Sequence, residues 1–98
     1  MGNSLKSAQF LVESRLRDAA RGDAQACYDL GIVYSSGAEG VDIDLIEAHK
    51  WFNIAAMSGS ERAQECRAEI SEDMTAREII AAQKAARDWL GATVRRAA

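Results

Sequence analysis

The side chains best suited to catalysis are His49 and two nearby carboxylates, Asp44 and Glu47. A histidine acting as a general base needs a nucleophile or substrate group within hydrogen-bond reach. On a helix, residues two positions apart lie on different faces, so Glu47 does not face His49. No nucleophile occurs at a suitable spacing either. We therefore expect His49 to be an exposed helical histidine and the chain not to be an enzyme.

The two cysteines, Cys27 and Cys66, each lie in a partly apolar stretch with helical spacing. Such cysteines are most often buried, reduced thiols. A disulfide between them stays open as an alternative, because two cysteines define no disulfide framework. With a single histidine, the chain lacks the cluster of ligands that a metal site needs. The sequence predicts no catalytic residue, no metal and no cofactor.

Composition narrows the class of protein and the class of partner. The chain has 98 residues, a net charge of −3, 48% apolar residues and no proline. This length supports one domain, and frequent Ala, Glu, Arg and Leu favour helix over strand. An acidic domain has no electrostatic attraction for nucleic acid. We find neither a signal-peptide core nor a stretch long enough to cross a membrane, so we expect a cytoplasmic protein.

The first predicted helix covers residues 4–21. Its apolar residues recur at spacings of three and four, as on one face of a helix. They are Leu5, Ala8, Val12, Leu16 and Ala19. Ser4 is a suitable N-cap, and Gly22 can end the helix.

Four further helices have equally clear boundaries. Their predicted N-caps are Asp23, Asp44, Ser60 and Thr75, and glycines expected to end three of them are Gly37, Gly59 and Gly91. Glu47 and Glu78 each lie three residues after an N-cap, where a glutamate completes a capping box. Because the connections are short, we expect consecutive helices to lie antiparallel, in helical hairpins.

Residues 22–59 contain a distinctive pattern of small and aromatic residues. The segment is GDAQACYDLGIVYSSGAEGVDIDLIEAHKWFNIAAMSG, and its pattern positions are Ala26, Tyr28, Leu30, Gly31, Tyr34, Gly37, Asp44, Ala48, Trp51, Phe52, Ala55, Ala56 and Gly59. It resembles one Sel-one-like repeat, a relative of the tetratricopeptide repeat with a unit of about 36 residues. The packing of a helical hairpin explains this pattern, because small residues let two helices approach closely while aromatic rings fill the space around them.

Residues 60–91 resemble a degenerate C-terminal repeat of bacterial family members. Where the full repeat has Leu30, Gly31 and Tyr34, this segment has Arg67, Ala68 and Ser71. A terminal repeat with a polar outer face caps a repeat array. The resemblance therefore implies one all-α domain over residues 1–98, an α-α superhelix (solenoid) of antiparallel hairpins. It would contain an N-terminal capping helix (4–21), one full repeat (22–59) and a capping repeat (60–91).

The resemblance implies a non-catalytic adaptor or scaffold that binds a protein or peptide. In such arrays the first helix of each hairpin lines the concave, partner-binding side. Residues on a helix advance by about 100° each. On the helix that follows Asp23, this rotation places a polar arc on the side opposite the core residues. This polar arc consists of Gln25, Asp29, Ile32 and Ser36.

We expect the polar arc to contact the partner, with Ile32 as its apolar anchor. Two alternatives for Ile32 are an isolated surface side chain and a contact with the N-terminal helix. A second candidate function is self-association into a homodimer, since a short solenoid exposes apolar ends.

Overall fold

The computed structural model describes the backbone of residues 4–97 and the side chains of that range except those of residues 4–6, 39 and 94–97. Within this range the chain forms five α-helices, one 3-10 helix and no strand. The elements are α1 (Ser4–Ala20), α2 (Ala24–Ser36), the 3-10 helix (Ala38–Gly40), α3 (Leu45–Met57), α4 (Glu61–Ser71) and α5 (Ala76–Ala97). The radius of gyration is 13.2 Å, as expected for a compact chain. The all-helical prediction is confirmed.

Local hydrogen bonds account for the starts of four helices. Asp23, Asp44 and Ser60 each accept a backbone N–H bond from the first turn that follows them, as predicted. Before α5, the Thr75 hydroxyl accepts from the Glu78 amide at 3.1 Å, and the Glu78 carboxylate accepts from the Thr75 amide at 2.8 Å. This reciprocal pair is the predicted capping box. The predicted cap Ser4 and the apolar residue Leu5 lie outside the described side chains.

Two predictions about helix ends are wrong. Glu47 does not bond the Asp44 amide, which donates to the Tyr34 carbonyl at 2.9 Å. Instead, Glu47 Oε1 accepts from the Trp51 indole N–H at 3.3 Å. The helix α5 also continues through Gly91, which does not have a positive φ. A glycine inside a helix costs only about 1 kcal/mol relative to alanine, so it need not end one.

Two glycines set the geometry of α2 and its exit. Gly37 has a φ of 72° and donates its amide to the Val33 carbonyl at 3.0 Å, which is the left-handed helix end that glycine favours. At Gly31, an added Cβ would lie 2.8 Å from Phe52 Cζ and closer still to two other ring atoms. The absence of a side chain at Gly31 is what allows α2 and α3 to pack this closely.

The core lies around α3, which packs against α2, α4 and α5. Its largest wholly buried side chains are Trp51, Phe52 and Leu30. Small residues fill the space between them, namely Ala26, Ala48, Ala55, Ala56, Ala63 and Ala86. The Trp51 ring meets the edge of Trp89 with 5.1 Å between ring centroids, an arrangement that aromatic pairs favour. This pair joins α3 to α5.

The two C-terminal helices pack on α3 more than on each other. Each has an extensive interface with α3, whereas the described residues of α4 and α5 make few mutual contacts. In an independent helical hairpin the two helices would pack along each other. The division of the chain into repeats therefore stays a prediction.

The N-terminal helix α1 packs against α2 and the 3-10 helix. Of its predicted apolar stripe, Ala8 and Ala19 are buried and Val12 is half-buried. Leu16 departs from the prediction, because it is 36% exposed. Its neighbour Arg15 is half-buried. The structure thus rotates the buried face of α1 slightly from the predicted stripe.

Candidate partner-binding site

A groove of about 510 Å³ lies where α1, α2 and α4 meet. Seven residues line it, and we call it the α1–α2–α4 groove: Leu11, Arg15, Tyr28, Asp29, Ile32, Val33 and Arg62. Four of the seven residues contribute apolar or aromatic side chains, and the other three are charged. An open apolar groove with a few charged side chains is typical of a binding site.

The structure divides the predicted polar arc into two pairs. Asp29 and Ile32 line the groove, whereas Gln25 and Ser36 do not. The Gln25 side-chain amide donates to Asp29 Oδ1 at 2.9 Å. The Ser36 hydroxyl donates to the Ile32 carbonyl at 2.7 Å and accepts from the Ala38 amide at 3.2 Å. Ser36 therefore stabilises the end of α2, and Gln25 supports Asp29.

Ile32 is half-buried and packs against the hydrophobic core. It shares the groove with Leu11 of the N-terminal helix. Of the three interpretations of Ile32, the one that places it beside that helix is closest to the structure. Its remaining exposed surface still faces the groove, so it can also contact an occupant.

Arg15 and Asp29 form an ion pair across the α1–α2 interface. Arg15 Nε lies 3.3 Å from Asp29 Oδ2, and Arg15 Nη1 lies 3.3 Å from Asp18 Oδ2. The guanidinium of Arg15 is therefore matched by two carboxylates of its own chain. Such partly exposed pairs contribute little to stability, typically less than about 1 kcal/mol, but this one links α1 to α2 directly.

The other groove cation, Arg62, has no carboxylate within ion-pair distance among the described residues. Its guanidinium carbon lies 5.5 Å from the centroid of the Tyr28 ring, which is a cation–π distance. Tyr28 also contacts the Phe52 ring, with 5.8 Å between centroids. Partial burial and the neighbouring Cys66 thiol raise the pKa of Tyr28. Tyr28 therefore stays neutral and holds Arg62 at the groove rim.

Sequence reasoning missed five of the groove residues, namely Leu11, Arg15, Tyr28, Val33 and Arg62. Tyr28 was assigned only to the repeat pattern. The joint position of these residues depends on the packing of three helices that are separate in sequence. Helical spacing could not predict the ion pair between Arg15 and Asp29, because the two residues lie on different helices.

A second, smaller groove of about 300 Å³ lies between α1 and the 3-10 helix. Its lining is Ala8, Gln9, Val12, Glu13, Tyr34, Gly40 and Val41. Glu13 is its one charged residue, so it offers less directional recognition than the α1–α2–α4 groove.

Both cysteines are free thiols, which excludes the alternative of a disulfide between them in this structure. Cys27 is buried, and burial together with the charge of Asp23 raises its pKa to about 11. Because the thiolate is the reactive form, Cys27 is a poor nucleophile. Cys66 is half-buried.

The prediction that His49 is exposed is wrong. Its side chain is only 3% exposed, because α3 is covered by three other helices. Its Nδ1 atom has no hydrogen-bond partner within the described part of the chain. The nearby Arg67 side chain donates to Asn53 Oδ1 instead. Burial, and secondarily the charge of Arg67, lower the pKa of His49.

We expect the stability of the protein to fall on acidification through the titration of His49. The ordinary pKa is 6.5 and the folded value is lower, so the unfolded chain binds the proton first. The stability that comes from keeping His49 uncharged is complete above pH 6.5 and is lost as the pH falls. The limiting slope of the free energy of unfolding is about 1.4 kcal/mol per pH unit. Urea unfolding between about pH 7.5 and 5.5 measures it, with His49→Gln as the control that removes this slope. Equal slopes in both proteins would contradict the assignment.

Three comparisons, with protein-family models, curated proteins and solved structures, found no match to this chain. Across residues 4–97, no helix is long and apolar enough to cross a membrane. Among the side chains that the structure describes, no group of three or more His, Cys, Asp or Glu could hold a metal ion.

Proposed function

We propose that this protein is a non-catalytic interaction module that binds a protein or peptide segment in the α1–α2–α4 groove. The observation that carries the proposal is the groove itself, which combines an apolar floor with an unmatched cation, Arg62, at its rim. An apolar anchor beside a charge is a common basis of peptide recognition.

We also propose that residues 22–59 are a Sel-one-like repeat within a short α-α superhelix. The close packing of α2 and α3, with Gly31 against Phe52, supports this. In that scheme α2 and α4 are the first helices of successive hairpins. Both line the groove, so the groove would lie on the side that such arrays use for binding.

A catalytic function has less support. The only histidine, His49, is enclosed in the core, and Cys27 is a buried thiol with a raised pKa. Neither is placed for general acid–base or nucleophilic work. We therefore propose an adaptor or scaffold with a cytoplasmic location, and self-association as the second candidate function.

A peptide selected from a displayed random library tests the proposed groove. We expect Ile32→Gln to weaken binding of the selected peptide by more than about tenfold, as at interface hot spots. The reason is that this residue supplies the apolar floor beside Leu11. Fluorescence anisotropy with a labelled peptide measures the dissociation constant. The matched control is Ile80→Gln, since Ile80 is 63% exposed and lies on α5, outside the groove.

Because Ile32 also packs against the core, its variant needs a thermal melt and a second variant. Arg62→Ala removes only a rim side chain, and we expect it to weaken the same peptide while leaving the melting temperature unchanged. If the library gives no binder, or if the binder is insensitive to both groove variants, the proposal is wrong.

A further inference from the structure

The two arginines of the α1–α2–α4 groove differ in whether a carboxylate matches their charge. Arg15 is already paired with two carboxylates, whereas Arg62 has no carboxylate within ion-pair distance in the described structure. The cation without a carboxylate partner at the groove is therefore Arg62. The best complement is an aliphatic side chain for the floor with a carboxylate next to it for the rim.

This chain itself exposes a segment of that chemistry. Four large apolar side chains of the described residues are more than 60% exposed: Phe10, Ile43, Met57 and Ile80. Three of them have uncharged neighbours in sequence, but Ile43 lies between Asp42 and Asp44. Ile43 is 62% exposed, and its two acidic neighbours are also exposed.

The segment 41–44 is extended and anchored at its two end residues. Val41 and Asp44 have extended backbone angles, with φ and ψ of −75° and 136° and of −142° and 99°. The Val41 amide donates to the Ala38 carbonyl at 3.1 Å, and the Asp44 amide donates to the Tyr34 carbonyl at 2.9 Å. Because the segment is held in place before binding, an occupied groove would lose little conformational entropy from it.

We infer that the groove of one molecule takes the segment 41–44 of a second copy of this chain. Neighbouring side chains leave an extended segment on opposite sides. When Ile43 points to the floor beside Leu11 and Ile32, Asp42 stays at the solvent rim, where Arg62 lies. The Asp42 carboxylate makes no hydrogen bond or ion pair within the described residues, so it is available for Arg62.

The contact is heterologous, since the groove and the segment 41–44 are different surfaces of the molecule. Heterologous contacts give rings when they close and open chains when they do not. The inference rests on the proposed function of the groove and names its occupant. It also gives a physical basis for self-association as part of that function.

Complementation between two variants tests this pairing by sedimentation velocity. We expect the wild type to form larger species as its concentration rises from about 1 µM to about 1 mM. Ile43→Gln removes the inserted side chain, and Arg62→Glu repels the acidic segment; each alone should weaken association by at least about tenfold. An equimolar mixture of the two should associate again, because each variant supplies the half that the other lacks. Since the second contact is defective on both sides, the restored species should stop at a one-to-one pair.

Two matched controls act at exposed sites outside the pairing. Ile80→Gln and Arg87→Glu, both on α5, should leave association unchanged. A wild type that stays monomeric over the whole range overturns the inference, as does association that survives Ile43→Gln. If the wild type is monomeric while groove variants still weaken the library-selected peptide, the groove binds a foreign acidic and aliphatic segment. In that case the proposed function stands and the inference about the second copy fails.

Discussion

Replacing Trp51 with alanine is expected to lower the free energy of unfolding by about 3–5 kcal/mol, the range for truncating a large buried aromatic. Trp51 is wholly buried and is the largest such side chain. It meets Trp89 edge-on and donates its indole N–H to Glu47. Truncation would leave a cavity where α3 meets α5. Since small domains are stable by only about 5–15 kcal/mol, this is a large share of the total.

Urea unfolding followed by far-ultraviolet circular dichroism measures this loss. In a thermal melt, about 4–8 °C per kcal/mol for a domain of this size corresponds to a fall of at least about 12 °C. Trp89→Ala is the matched control, because Trp89 is half-buried and its truncation should cost less. A Trp51→Ala protein that melts within about 2 °C of the wild type would contradict the placement of Trp51 in the core.

Replacing Gly31 with alanine is expected to destabilise the protein, although the same change usually stabilises a helix. Alanine improves helix propensity by about 1 kcal/mol. Its Cβ would, however, lie 2.8 Å or less from atoms of the Phe52 ring, and overpacking a core costs about 1–3 kcal/mol. Phe52 is only 1% exposed, so its ring has little room to move. We expect a net loss of about 1–2 kcal/mol.

A double-mutant cycle with Phe52→Leu separates the clash from the helix propensity. Phe52→Leu alone should destabilise the protein by removing ring contacts. In that background, the cost of Gly31→Ala should shrink or change sign, since the smaller side chain can leave space for the methyl group. Urea unfolding of the four proteins gives the coupling energy. Stabilisation by Gly31→Ala in the wild-type background would show that α2 and α3 do not pack as closely as described.

The sequence predicted helix starts well because a helix start is a local event. The side chains of Asp23, Asp44 and Ser60 cap amides two or three residues away, so the residue type and its position suffice. The left-handed turn at Gly37 is equally local. Gly91 is the exception, because a glycine permits a helix to end without requiring it.

Burial of particular side chains was harder to predict because it depends on how many neighbours a helix has. His49 lies outside the apolar stripe of α3, and a helix with one covered face would expose it. Since α2, α4 and α5 all pack on α3, this histidine is enclosed. Leu16 is the converse case, an apolar residue that the packing of α1 leaves 36% exposed.

The candidate site was predicted only in part for a related reason. The helical rotation that grouped Asp29 with Ile32 is a property of α2 alone, and the structure keeps both at the groove. Arg62 comes from α4 and reaches Tyr28 across the fold. Contacts between distant segments have no periodic signal in one sequence, so the charge of the groove became visible only with the structure.

The position of α3 between α2, α4 and α5 has a consequence for the way the molecule opens. A linear array, in which each unit contacts only its neighbours, can lose an end unit and keep the rest folded. Here, loss of α5 would uncover Trp51, and loss of α4 would uncover another side of the same helix. Among the described residues, α1 packs mainly on α2 and the 3-10 helix, so its detachment requires the least disruption. Amide exchange should therefore be fastest along α1 and slowest in α3, whose amides become accessible only when the whole domain unfolds.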